Sequence, residues 1–343
     1  MALITKKRSS FLLTVGLSLS LLVSSSPVFA AIPTIGGKWA SNTKTLYVGG
    51  GLVAWSAGAA KWKNATNFKV TASSGTSTSY YAYDVNLASE TWDAICSVVL
   101  NAGTITKATL RMNTYFTNQS RYTAAIKNGV TAHEIGHSLG LDHTKSDQSP
   151  ASIMYPYTFN GNNPSVRSLS PSADDIATVN SLYPSVPFTA ADSHDNTAGE
   201  IIHLSPSWAT YYEDEEALSK AADLVVRGQV SKEKGSKFKK DEHFTYKTEV
   251  ALTASEVLKG DASLNGKDII VSQMGGTDGK NKVIGEYTTL LKTNQEVVLF
   301  LLQAEDGTYN LINEDDSIFL LNKYGEFGNI ASEQDLNMSK ISN

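Results

Sequence analysis

Cysteine is almost absent: Cys96 is the single one in 343 residues. One thiol excludes a disulfide scaffold and any metal finger built on cysteines. Basic residues are not in excess either, 29 Lys and Arg standing against 34 Asp and Glu for a net charge of −5. The chain therefore lacks the basic field that draws in nucleic acid. Nine prolines and 25 glycines, together about one residue in ten, exclude a collagen, a Pro-rich stalk and a low-complexity coil. Beyond the N-terminus no apolar run approaches the ~20 residues of a membrane span. What remains is a globular chain, 41% hydrophobic and 18% charged, long enough for about two domains.

The N-terminus has three parts. Lys6, Lys7 and Arg8 are followed by an apolar run from Phe11 to Val23, then by Ser24–Pro27 and the small-residue site Val28-Phe29-Ala30. This is the pattern of a secretory signal peptide over residues 1–30, cleaved after Ala30. Its removal deepens the negative charge by three and leaves a secreted chain with no membrane segment.

Residues 46–48 read as a short strand, broken by Gly49-Gly50-Gly51. Leu52, Trp55, Ala59 and Trp62 recur at helical spacing over 52–63, with a core face at the tryptophans. Residues 68–70 alternate as a strand, 72–80 form a Ser-, Thr- and Gly-rich loop, and 85–107 carry no clear pattern. Over 108–116, Ala108, Leu110 and Met112 alternate with Thr109, Arg111 and Asn113. That predicts a half-buried strand with the polar set outward. Ile126, Val130, Ile135 and Leu139 stripe a helix over 122–139, stopped by Gly140. A further helix opens at Ser170–Asp175, where a serine cap and acidic first turn suit its positive end; Ile176, Val179 and Leu182 are its buried side. Residues 185–206 lack periodicity and read as a linker. Residues 207–343 read as a mainly β accessory domain: a short acidic helix at 213–222, then strand runs at 224–230, 245–252, 268–274, 296–303, 308–313 and 318–322. Asp306-Gly307 makes a hairpin between two of them. Beyond residue 185, His194, His203 and His243 are scattered, Gly275-Gly276 is a turn, and Lys237, Lys239 and Lys240 belong to a solvated loop.

Three of the six histidines fall within eleven residues, His133-Glu134-Ile135-Gly136-His137-Ser138-Leu139-Gly140-Leu141-Asp142-His143. On a helix His133 and His137 share one face. Glu134 sits beside the first ligand and reaches a metal-bound water without binding the metal itself. Gly140 allows a sharp left-handed turn, which brings His143 back as the third nitrogen. Three histidines and one open position describe a catalytic zinc site.

The string matches the extended zinc motif of the metzincins, and Ser152-Ile153-Met154-Tyr155-Pro156 resembles that clan's Met-turn. Residues 169–183, with the pair Asp174-Asp175, resemble the C-terminal helix of the matrixin branch; residues 46–70 resemble its opening strand, helix and strand. Over about 37–184 the chain is thus identified as a bacterial-type matrixin. The resemblance implies an α+β fold: a metzincin-like catalytic domain over 31–184, its twisted mixed sheet carrying an active-site helix and a C-terminal helix, followed by the smaller β domain. It implies one catalytic Zn²⁺ held by His133, His137 and His143, Glu134 as general base, Met154 as a packed floor, no catalytic role for Tyr155, and a protein or peptide substrate met by a monomer. The family's edge strand, to which an extended peptide adds, would be 108–116.

The chain also departs from the family. No histidine precedes His133, so the structural zinc of animal matrixins is not expected, and calcium is left open without a recognisable loop to hold it. The propeptide cysteine motif is missing, and Cys96 reads as a small buried hydrophobe. Pro156-Tyr157-Thr158 replaces the family's Pro-x-Tyr. The rival reading is a secreted metzincin-like binding protein without activity. The accessory domain is open between binding substrate or cell wall and inhibiting the peptidase domain.

Overall fold

Gly51, at φ 65°, turns β1 (Thr43–Val48) into α1 (Leu52–Ala65), whose buried stripe is Trp55, Gly58, Ala59 and Trp62. These elements come from a computed structural model, which describes residues 32–144, 151–161, 165–185, 199–239 and 242–341. The signal-peptide segment 1–30, His194 and the side chain of His243 lie outside them. β2 (Lys69–Ser74) returns parallel to β1, and β3 (Tyr80–Val85) joins on the other side. The stretch without a sequence pattern holds β4 (Trp92–Asn101), which turns at Ala102-Gly103 into β5 (Thr104–Asn113). The order β2-β1-β3-β5-β4 is parallel except for β4.

A short helix, α2 (Thr114–Thr117), precedes α3 (Ala124–Ser138), which is capped by the Thr123 hydroxyl. Helix α3 packs on α1, where Trp62 Nε1 donates to the Ala132 carbonyl at 2.7 Å. Leu46, Trp55, Trp62, Cys96, Leu110, Ile135 and Met154 meet in one core between these helices and the sheet. β6 (Tyr157–Asn160) and α4 (Ala173–Leu182) follow. Helix α4 opens on a serine cap, as its sequence predicts, and Asp175 completes a reciprocal capping box with Ser172.

The remaining elements are β7 (Ile201–Tyr211), α5 (Glu215–Ala221), β8 (Leu224–Lys239), β9 (Glu242–Lys259), β10 (Asp268–Met274), β11 (Gly276–Thr277), β12 (Lys282–Gly285), β13 (Glu296–Gln303), β14 (Tyr309–Leu311), β15 (Ile318–Leu321) and β16 (Phe327–Asn329). Strands β10, β9, β8, β13 and β14 close into a ring, since β14 pairs with both β13 and β10. Its interior holds Val226, Val250, Leu252, Val271, Leu299 and Leu311. The class is α+β, with a mainly β second part.

Two expectations are corrected. Residues 201–206 are not linker: they are in β7, antiparallel to β4 and continuous with the first sheet. Nor is 108–116 the edge strand. β5 ends at Asn113 and lies between β3 and β4, and its polar set is covered, with Thr109, Arg111 and Asn113 all buried. The reason is a second layer. Phe244 of β9 packs 3.6 Å from the Arg111 guanidinium, and Arg111 Nε donates to Tyr83 Oη at 2.7 Å. Alternation along a strand shows which side chains share a face, but not what covers the other face.

Candidate metal centre

Helix α3 carries His133 and His137 one turn apart, both fully buried. The helix ends at Gly140, whose φ of 101° is left-handed and whose missing Cβ would collide with the Gly37 carbonyl. The chain reverses there, and His143 returns to the other two. The three Nε2 atoms lie 3.0–3.1 Å apart. Among the described residues these three form the cluster suited to a metal ion.

The outer ring nitrogens settle how the lone pairs point. Nδ1 of His133 donates to the Ile153 carbonyl (2.7 Å) and Nδ1 of His137 to the Leu141 carbonyl (3.0 Å). Nδ1 of His143 faces Glu286 Oε2 at 2.8 Å. With the protons on Nδ1, all three Nε2 lone pairs converge. Burial lowers the imidazole pKa values, that of His143 to about 3, so the rings are neutral. Converging lone pairs repel unless a cation lies among them. Four tetrahedral ligands at ~2.0–2.1 Å from zinc are about 3.3 Å apart, close to the spacing seen. The donor set fits zinc.

Glu134 is fully buried beside them, with Oε1 4.0 Å from His133 Nε2. Neither of its oxygens has a hydrogen-bond partner among the described residues. Burial pushes its carboxyl well above the usual range; the Arg167 charge opposes this. A buried carboxylate without a donor is costly, which points to a water or substrate group as its partner.

The floor is Met154, fully buried, whose Sδ packs where a Cβ on Gly136 would stand. Its turn is tied to α4 through Asp175: Oδ1 accepts from Ser152 Oγ (2.6 Å), and Oδ2 from the Ile153 N–H (3.0 Å) and the Ser172 N–H (2.7 Å). The carbonyl of Ile153 is in turn the acceptor for His133. Cys96 is buried in the core on β4, and Tyr155 packs into an apolar cluster with Trp92, Tyr157 and Trp208.

Several residues at the site carry no sequence signal, because long-range folding brings them in. Glu286 Oε1 accepts from the His143 N–H at 3.0 Å, and the Tyr287 ring stacks on His143 with centroids 5.7 Å apart. Asp142, against Glu286, is pushed up to about 7 by burial and by that neighbour. Arg167, also buried, donates to the Tyr155 carbonyl, Ser207 Oγ and Thr158 Oγ1.

Residues 60–184 match the family model described as Matrixin. Over 121 residues, 35% of this chain, the sequence is 36% identical to stromelysin-2 of Rattus norvegicus, and the chain spans 22% of that relative's length. Among solved structures it is similar to myroilysin, at 16% identity, 45% of this chain, 98% of that one and a TM-score of 0.30. It is also similar to high choriolytic enzyme 1, a hatching enzyme zinc-protease from Oryzias latipes, at 15% identity, 43% and 94% coverage and a TM-score of 0.27. The family match encloses both the histidine cluster and the methionine turn, so residues 60–184 are where the chain is similar to the matrixins.

Proposed function

We propose that the chain is a secreted zinc-dependent endopeptidase. The observation that carries this reading is the convergence of three neutral Nε2 lone pairs next to a buried carboxylate without a partner. His133, His137 and His143 would hold the ion. Zinc there supplies Lewis-acid polarisation of a carbonyl and lowers the pKa of a water towards ~7. Glu134 takes the water's proton and delivers it to the leaving amine. Gly140 makes the turn that returns His143, and Met154 supports the histidines from below. Secretion rests on the N-terminal signal pattern; among the described residues no helix is long and apolar enough to cross a membrane.

The test is zinc content per chain, with cleavage of a quenched-fluorescent peptide mixture before and after chelation. One zinc per chain and chelator-sensitive cleavage are expected, and Glu134→Gln should keep the zinc and lose the cleavage. Cleavage that survives Glu134→Gln refutes the role given to Glu134, and a folded chain without zinc refutes the whole reading.

A further inference from the structure

Strand β4 is the last strand of the matrixin-type sheet, and its outer edge is taken by β7. The register is Trp92↔Trp208, Ala94↔Ser207, Ile95↔Pro206, Cys96↔Ser205 and Ser97↔Leu204. On its other side β7 runs parallel to β6, with Tyr157↔Trp208 and Phe159↔Thr210. The N–H of Trp208 donates to the Pro156 carbonyl (2.9 Å), directly after the methionine turn, and that of Ala209 to the Thr91 carbonyl (3.0 Å). Upstream, β7 pairs with β12 as far as Gly285↔Leu204. Residues 205–207 therefore have a ladder partner on the β4 side only. Their other side is the one on which Glu286 lies, its N–H on the Leu204 carbonyl (2.9 Å) and its carboxylate on His143. Ser205, Pro206 and Ser207 are all buried.

Such a groove, an open strand edge on one side and a parallel segment on the other with the reactive centre between, is where an extended peptide binds by strand addition. Here the chain fills it with its own residues. Ser207 Oγ accepts from Arg167 (2.9 Å) in the buried space beside the site. Trp208 enters the apolar cluster of Trp92, Tyr155 and Tyr157. The loop after β12 adds a second contact: Tyr287, at a φ of 54° unusual for a bulky residue, stacks on His143 and donates to the Thr144 carbonyl (3.1 Å). A backbone held in that region persists where its surroundings enforce it.

We propose that β7 and the Glu286-Tyr287 loop occupy the peptide-binding groove in cis, so that the full chain is latent until they are displaced. The inference rests on the peptidase reading and adds its regulation. A tethered segment competes at an effective concentration of order mM, which a free peptide substrate does not match.

The test uses zinc-loaded full chain, wild type against Glu286→Ala and Trp208→Ala, with equal zinc content and a native circular dichroism spectrum checked for each. Two readouts are taken: kcat/KM on a quenched-peptide mixture, and the Kd of a fluorescent peptide hydroxamate that chelates zinc. At least a tenfold rise in kcat/KM and a tenfold tighter hydroxamate in both variants is expected. Wild type that cleaves and binds as well as the variants overturns the proposal and leaves the peptidase reading intact. Tighter hydroxamate without cleavage in any form keeps the occupied groove and refutes the peptidase reading. Folded, loaded variants with no gain in either readout overturn the proposal.

Discussion

Asp175 gives the sharpest stability test. Its carboxylate is fully buried and accepts three hydrogen bonds, from Ser152 Oγ, the Ile153 N–H and the Ser172 N–H. Asp175→Ala leaves three donors unsatisfied, two of them buried. Hydrogen bonds to a charged acceptor contribute ~1.5–3 kcal/mol each, but neighbours in one network do not add. The expected cost is about 3–5 kcal/mol, or roughly 10 °C in Tm for a domain of this size. The effect should also reach the metal. The N–H of Ile153 is held by Asp175 while its carbonyl orients His133, and losing such outer support costs about tenfold in metal affinity. Asp175→Asn is the control. Its amide oxygen can accept both backbone N–H groups, and its NH₂ can donate to the Ser152 hydroxyl, so about 1 kcal/mol is expected. Urea titration followed by tryptophan fluorescence gives the stabilities, and competition with a zinc chelator gives the affinities. An alanine variant within 1 kcal/mol of wild type, or an asparagine variant as damaged as alanine, would refute this account of the methionine turn.

Gly136→Ala should destabilise the domain that holds the histidine cluster by about 1–3 kcal/mol, the usual cost of overpacking, because the new methyl meets Met154 Sδ and the Trp62 ring; thermal melting of the zinc-loaded chain reads it. Zinc removal should lower stability by about 2.7 kcal/mol relative to free zinc at a hundredfold excess over Kd, and calorimetry with and without chelator checks the shift. The fourth prediction concerns pH. Burial raises Glu314 to about 8, against the opposing charge of Lys247, while Asp315 and Glu90 add to the rise; Asp316 rises to about 7 and Asp315 to about 6, burial again being the largest cause. In the unfolded chain these groups lose their protons near pH 4, so the folded chain binds more protons in between. The stability they contribute is complete below that value and is lost as pH rises through about 6, 7 and 8. Between pH 6.5 and 8.5 Glu314 alone should account for about 2 kcal/mol of loss, and Glu314→Gln should flatten that slope in urea titrations.

The histidine cluster was legible because its offsets are local. A helix places i and i+4 together whatever surrounds it, and Gly140 is needed within the same eleven residues. The stripes of α1, α3 and α4 and the serine cap of α4 were legible for the same reason. The groove was not. Ile201–Tyr211 shows no alternation, because residues 204–209 of β7 are buried whichever face they point to, and Pro206 in its middle reads as a break. The structure gives the physical reason that proline is tolerated. In a strand, N–H groups two residues apart point the same way. The N–H of Trp208 points to Pro156, so the position of Pro206 N faces the same side. There neither β6 nor β12 reaches residue 206. A residue without an N–H gives up no ladder bond at that place. Glu286, which contacts His143, lies beside the same gap, so what looks like a linker in the sequence is a strand. Glu286 itself has no motif, since its meaning depends on a fold that brings it 143 residues back along the chain to His143.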